Sequence, residues 1–561
     1  MSIISARASS DSSAAATSAP LELTEQRLAV PALQMAAGTA LSRLTGLGRL
    51  VAMTFAVGVA ESRLADSYNL ANTLPNVVYE LVLGGVLTSV FLPLVVEQLR
   101  TQDEEDAWRA ISALVSASLL VLLVMTALTA LLAPLIVGVF SARVSGAEGP
   151  RQHALASFFL LIFAPQIALY GLVAIGDGLL NARGRFALPA FAPILNNVIV
   201  IATFLVFAAV AAGIPTNASV ESSLGLKLLL ALGTTGGVAA MAAVYLPALR
   251  ALPLRLSLRG LGHPAVRRLA RLSGWTVLYV VTNVAGLLVS FYLANGRQGG
   301  PTAYVTAFAF FQLPIGVAAI SVITALTPKL AAHHVDQDRV AFRAQMAAAM
   351  RLTAVLMLPA TAAYLVLATP VVQTLLAHGI ASSASTALVA GVLRFFALGL
   401  FPFAAFQLLM RGFYATQDAR SPALINVFEN GATVALDLLL FAVLRVRGLA
   451  LAHSLGYFIG CGIALWLLAR RGRAFADLDT ALELAKTVLA SALVAGAIAA
   501  VVWIIGTLGL SSGSQALWQS LVGSAAGLAV FVVAARILRI RDALRLGEQL
   551  SNLARRRRKT R

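Results

Sequence analysis

Long apolar runs, broken by short polar stretches, fill this chain from residue 34 to residue 537. The runs are continuous rather than alternating, so they read as helices and not as barrel strands. Each is about 20 residues or longer, the length that crosses a bilayer as α-helix. Fourteen spans are predicted, near 34–60, 66–97, 108–139, 153–180, 187–212, 226–249, 268–294, 303–331, 345–369, 384–412, 421–444, 449–469, 482–507 and 516–537. The expected fold is therefore an all-α polytopic membrane protein.

The polar connections carry a sign. The loop after span 6, "RALPLRLSLRGLGHPAVRRLAR", holds six arginines, and the tail from Arg536 holds ten basic residues. Loops after odd-numbered spans are nearly free of them. Basic loops stay cytoplasmic, so both termini are expected in the cytoplasm. The tail is also expected to touch anionic membrane lipids or to act as a plain stop-transfer anchor.

The pattern also repeats. "AWRA" (107–110) returns as "AFRA" (341–344), "SFFLLIFAP" (157–165) as "RFFALGLFP" (394–402), Pro93 as Pro328, and the Pro-Ala pair at 189–190 at 422–423. All four offsets lie within 233–237 residues. Two tandem six-helix lobes follow, a parallel repeat about an axis along the membrane normal. The expected organisation is a disordered N-terminus (1–30), an N-lobe (31–250), a basic linker (251–267), a C-lobe (268–471), two extra helices (482–537) and a basic tail (538–561). No inter-span loop has room for a catalytic domain, so a transporter is expected rather than an enzyme.

Charges inside the spans are costly and mark function or pairing. Span 1 contains "SRLTGLGR", with Ser42 and Arg49 on one helical face and Arg43 about 100° away. In span 2, Asp66, Asn69, Asn72, Asn76 and Glu80 recur at i+3 or i+4 steps, so they form one polar stripe. The stripe is expected to line a cavity or to bond a neighbouring helix. Arg394 in span 10, and Glu429, Asn430 and Asp437 in span 11, are candidates for ion coupling or for internal pairing.

Composition adds limits. At 59% hydrophobic and 12% charged, the chain suits a bilayer, and its net charge of +18 is mostly topology, so no nucleic-acid partner is expected. The single cysteine, Cys461, allows no internal disulfide. The six histidines show no ligand spacing, so no metal site or cofactor is expected.

With "LPN" (74–76), "FLP" (91–93), "LLNARGRFALPAFAPILNN" (179–197), "QLPIGV" (312–317) and "GFYATQDARSP" (412–422), "SRLTGLGR" resembles the lipid II flippases. These form the MurJ/MviN family of the multidrug/oligosaccharidyl-lipid/polysaccharide exporter superfamily. The resemblance covers about residues 34–540. It implies fourteen helices, with the last two forming a groove for the lipid tail. It also implies transport of undecaprenyl-diphosphate-linked peptidoglycan precursor across a bacterial plasma membrane, in the company of cell-wall synthesis or division proteins. Arg43 and Arg49 match the family's basic pair, with Ser42 and Asp66 adjoining. Guanidinium groups suit a diphosphate because they give charged, bidentate donors. The chain departs from the family at Tyr79, Ala309, Gln312 and Gly84, where relatives carry charged groups. The driving force is expected to be the membrane potential or an ion gradient. Export of another lipid-linked oligosaccharide, ion-coupled drug export, and a scaffold role without transport are the competing readings.

Overall fold

The computed structural model describes residues 19–80, 91–101, 103–472 and 477–559, and every element among them is helical. Span 1 ends the helix Ala19–Val57, so residues 19–30, expected to be disordered, are helical instead. Span 2 begins with Leu64–Glu80. Span 3 is Glu104–Leu131 continued by Ala133–Ser141, and span 4 is Glu148–Phe163 with Gln166–Ala182. Spans 5 and 6 are Ala187–Val210 and Leu224–Ala243.

In the second half, span 7 is Pro264–Ala294. Span 8 runs as Gly300–Pro314, a π-helical turn Ile315–Ala319, and Ile320–Val335. Span 9 is Arg339–Leu376, and span 10 is the bent pair Ser383–Ala397 and Leu400–Tyr414. Spans 11 to 14 are Arg420–Leu444, Val446–Arg470, Leu478–Gly506 and Ser512–Ile537. Among the described residues, twelve helices are long and apolar enough to cross a membrane, and the pair bent by 46° makes thirteen. The fourteenth expected span is span 2, which enters residues 81–90; Gly84 lies there, outside the described residues, as do the side chains of Tyr79 and Glu80.

Local chemistry explains the breaks. Pro165 has no N–H to continue the ladder, and span 4 restarts after it at Gln166. Span 10 restarts at Leu400, just before Pro402. Both breaks fall inside the matched segments "SFFLLIFAP" and "RFFALGLFP". Pro314 likewise cannot donate to the carbonyl of Phe310. The hydroxyl of Tyr364 in span 9 donates to it instead, at 2.9 Å. Backbone groups must find partners within the protein when no water is present, and this bond meets that demand.

Span 1 lies along span 5, and span 11 lies along spans 7 and 12. Spans 13 and 14 pack on each other and on span 9, through clusters that include Ala362, Leu367, Val494 and Ile498. Outward-facing leucines such as Leu123, Leu135, Leu439 and Leu528 stay exposed, as a lipid-facing surface requires. After span 14 the chain turns into the helix Arg541–Lys559. Its first turn is held by ion pairs from Asp542 to Arg351 (2.8 Å) and from Arg541 to Asp479 (2.9 Å).

Candidate functional site

The ties between the two halves gather at one end of the bundle, where spans 1 and 2, 7 and 8, and 9 and 10 turn. Asp66 starts span 2 and is fully buried. Its carboxylate accepts from the N–H of Gly299 (2.7 Å), the N–H of Thr302 (3.2 Å) and the hydroxyl of Thr302 (2.8 Å). The first N–H groups of a helix have no partner within it, and they favour an anion. Span 8 begins at Gly300 with no side-chain cap of its own, so Asp66 caps it from the other half. Gly299 sits at φ +75°, with Ala60 where a Cβ would go, so only glycine fits there. Asn69, one turn on from Asp66, donates to the Thr302 hydroxyl at 3.1 Å.

Neighbouring bonds extend this seam. Arg63 donates to the carbonyl of Asn295 (3.1 Å), and Gln298 donates to the carbonyl of Ala60 (2.9 Å). Asn295 also donates to the Phe140 carbonyl at 3.0 Å and accepts from Gln152 at 3.0 Å. In the turn between spans 1 and 2, Glu61 is satisfied on both oxygens. Oε2 accepts from the N–H groups of Val59 (2.7 Å) and Ala60 (3.1 Å). Oε1 accepts from the N–H of Ser382 (2.7 Å) and the hydroxyl of Ser385 (2.6 Å), both on the far side of the seam. Partial burial would raise this carboxyl, but the Ser385, Ser382 and Val59 donors outweigh it and hold its pKa at about 2, below the ordinary 4.5.

Further along the spans the chemistry reverses. Arg43 is exposed and Arg49 half-buried, and neither forms an ion pair among the described residues. Span 1 is held to span 5 by Asn197, which donates to the Ser42 carbonyl (3.2 Å) and the Thr45 hydroxyl (3.0 Å). Ser42 is therefore half-buried on the span 5 side, which separates it from Arg43. Arg49 lies within Coulombic reach of the phenols of Tyr68 and Tyr170, inside the N-terminal half. The Arg43 guanidinium reaches across to Gly316 in the π-turn of span 8.

The polar stripe of span 2 thus divides. Asp66 and Asn69 are spent in the seam, whereas Asn72 and Asn76 remain half-exposed, with Asn76 donating back to the Asn72 carbonyl at 3.0 Å. Of the two expectations for the stripe, its first two members meet the second, bonding to a neighbouring helix. Asp66 accepts from the N-terminus of span 8, and Asn69 donates to the Thr302 hydroxyl there.

A cavity of about 180 Å³ lies between span 2 and the C-terminal half, bounded among others by Val77, Asn283, Ser290, Gln312, Glu429 and His453. Glu429 accepts from Asn430 (2.7 Å) and Thr433 (3.2 Å). Ser290 of span 7 donates to Asp437 Oδ2 at 2.6 Å. The other oxygen, Asp437 Oδ1, has no hydrogen-bond partner among the described residues, and neither do Asn426 Oδ1 and His453 Nε2. Among the described residues neither carboxylate forms an ion pair with an arginine, and the internal partners they find are neutral donors. Arg394 donates to Thr369 at 2.9 Å. Among the described residues no group of His, Cys, Asp or Glu has the arrangement of a metal site.

Sequence reasoning missed Glu61, Thr302, Asn295, Ser290 and His453. Only the turn "ANGRQGGPT" carried a readable signal, a cluster of glycines and polar residues that predicts a tight connection.

Comparison with known proteins bears on this architecture. The sequence profile of the family described as Lipid II flippase MurJ matches residues 55–513, a segment that begins just beyond Arg43 and Arg49. A probable lipid II flippase MurJ of Rhizobium meliloti is 29% identical over 465 residues, covering 82% of this chain and 85% of that protein. The lipid II flippase MurJ of Burkholderia cenocepacia is 28% identical over 449 residues, covering 77% and 82%. Among solved structures, a lipid II flippase MurJ in an inward closed conformation superposes with a TM-score of 0.72 at 21% identity, over 90% of this chain and 98% of that one. An inward-facing multidrug resistance transporter of the MATE family and MOP superfamily superposes with a TM-score of 0.62 at 14% identity, over 77% and 98%. At such identities the structural likeness shows a shared fold. The profile match spans most of the sequence, and this multi-pass membrane chain belongs to the MurJ family of lipid II flippases.

Proposed function

We propose that this protein carries lipid II, the undecaprenyl-diphosphate-linked peptidoglycan precursor, from the cytoplasmic to the outer leaflet of a bacterial plasma membrane by alternating access. The basic loops favour cytoplasmic termini, so the hydrogen-bonded seam faces outward and the arginines face the cytoplasmic side. The observation that carries this reading is the pair Arg43 and Arg49. They are two guanidinium groups inside a membrane bundle, without a carboxylate among the described residues to neutralise them. A lipid diphosphate supplies the missing anion. Each charge-assisted hydrogen bond to it contributes about 1.5–3 kcal/mol. Asn72 and Asn76 stand nearest in sequence to offer neutral hydrogen bonds to the sugar and peptide. Tyr79 and Ala309 bring no cation, so the arginine pair carries the anion alone among the positions compared.

The reading is tested in cells depleted of their own flippase, by measuring the share of lipid II reachable at the outer leaflet. Wild-type protein restores that share, and the Arg43→Ala/Arg49→Ala variant at equal abundance does not. Restoration by the double variant would show that the two arginines are not needed for transport, and failure of the wild-type protein to restore the share would favour a scaffold without transport. Resistance to cationic drugs on overexpression, with no change in lipid II, would favour drug export.

The cavity lined by Glu429 and Ser290, with Asp437 bonded to that serine, favours ion coupling as a second element of the reading. Asp437 Oδ1 and Asn426 Oδ1 are buried acceptors that a cation or proton would satisfy. Asp437→Asn is expected to keep lipid binding while abolishing the response of transport to an imposed ion gradient in proteoliposomes.

A further inference from the structure

Span 8 changes its winding where it meets span 1. After Pro314 the helix opens into the π-turn Ile315–Ala319, a form that occurs mainly as single turns and often at functional sites. Gly316 lies in that turn and leaves it without a side chain. A Cβ at this position would stand 3.3 Å from Arg43 Cζ and 3.4 Å from Arg43 Nε and Nη2. The guanidinium of the N-terminal half therefore rests against the bare backbone of the C-terminal half.

The placement is not a by-product of a loose helix. Span 1 is fastened to span 5 through Asn197, one residue before Arg43 and two after it, so Arg43 projects across the gap from a fixed base. The next position, Val317, is 71% exposed, so this face of the turn borders open space while Ile315 and Ala319 face the core. A cation held there by contact with backbone, and paired with no carboxylate among the described residues, keeps its donors for an incoming anion.

We propose that Gly316 is the positioning residue for Arg43, seating its guanidinium between the two halves so that a lipid diphosphate is gripped where spans 1 and 8 meet. This rests on the reading of Arg43 as an anion ligand. Gripping the diphosphate then also ties span 1 to span 8. The glycine, not a second cation, is what the C-terminal half contributes at this point. A methyl group at 316 shifts the guanidinium by only a few tenths of an ångström, because it is the far end of a flexible side chain. A leucine takes its place outright.

The test is a double-mutant cycle on the purified full-length protein, with undecaprenyl diphosphate as the probe and its affinity as the readout. Gly316→Leu is expected to weaken binding about tenfold, as Arg43→Ala does, and the pair together no more than either alone. Combined with Arg49→Ala, by contrast, Gly316→Leu should add its full effect, since sites that share no partner add. Gly316→Ala is expected to weaken binding by a factor of two or three, and it carries the same cycle if the leucine variant does not fold. Losses at 316 that add fully to those of Arg43→Ala overturn the proposal, as does unchanged affinity in a folded Gly316→Leu protein. If Arg43→Ala itself leaves affinity unchanged while Arg49→Ala abolishes it, the anion-ligand role of Arg43 fails and this proposal falls with it, whereas the diphosphate reading survives.

Discussion

Asp66 and Arg43 are both charges carried by the first two spans, and the structure treats them in opposite ways. Asp66 has no exposed surface, and three donors from span 8 surround its carboxylate. Arg43 is exposed and lies against a glycine of the same span 8, in no ion pair among the described residues. One charge is consumed in holding the two halves together, and the other is left available. The alternating access proposed above needs both kinds: in that proposal saturated groups set which end is closed at rest, and unsaturated groups wait for the cargo.

The largest effect is expected on the unsaturated side. Removing both guanidiniums with Arg43→Ala/Arg49→Ala should lower affinity for undecaprenyl diphosphate at least ~100-fold, from about 1.5–3 kcal/mol per lost contact. Binding measured on purified protein checks this. A loss below about tenfold would mean that the available charges are not where the anion binds.

Next comes the saturated side. Asp66→Ala strips the acceptor from three buried donors, at about 1–3 kcal/mol for each group left without a partner. Water reaches those donors once the seam parts, so the variant should favour the parted state. Spin labels placed across the seam in a Cys461→Ser background would report a longer distance. An unchanged distance would show that Asp66 does not set which end is closed.

A smaller change is expected at Glu61, where the seam meets solvent. Its folded pKa of about 2 lies below the ordinary 4.5, so ionised Glu61 stabilises the closed seam above 4.5. That contribution fades as pH falls below 4.5 and is gone once pH passes about 2. The contribution of Glu61 to seam closure should therefore stay constant from pH 8 to pH 5 and be lost only in stronger acid. Glu61→Gln should remove the acid-dependent part and leave the rest. A transition between pH 5 and pH 8 that vanishes in Glu61→Gln would contradict this account.

The smallest effect is reserved for an exposed pair outside both regions. Arg109 and Asp106 pair one helical turn apart on the surface. Asp106→Asn should change thermal stability by no more than about 0.5 kcal/mol, because exposed pairs are screened and entropically costly. A larger change would mean that surface charge, and not the two inner regions, governs the molecule.

Parts of this were legible in the sequence. The spans could be read because a bilayer demands some 20 apolar residues wherever the chain crosses. The two arginines could be read because a charge in such a run needs a reason. Span 2 shows where that reading stopped. Its stripe from Asp66 to Glu80 is a true helical face, but the sequence does not say that Thr302, more than 230 positions away, meets only its first two members. The same holds for Ser290 and Asp437, which hydrogen-bond from spans 7 and 11. Residues 19–30 misled because they follow a Ser- and Ala-rich stretch, whereas their own sequence, "APLELTEQRLAV", has no serine and is rich in helix formers.

Hydrophobic length and periodicity, which are local, determined by themselves that this chain is a helical membrane protein carrying two arginines in its first span. Only the tertiary structure decided what each buried polar group does. A carboxylate becomes a cap or a ligand according to which donors another span brings within 3 Å of it. Gly316 is the plainest case. In the sequence it is one glycine among 43, and packing against span 1 makes it the seat of Arg43.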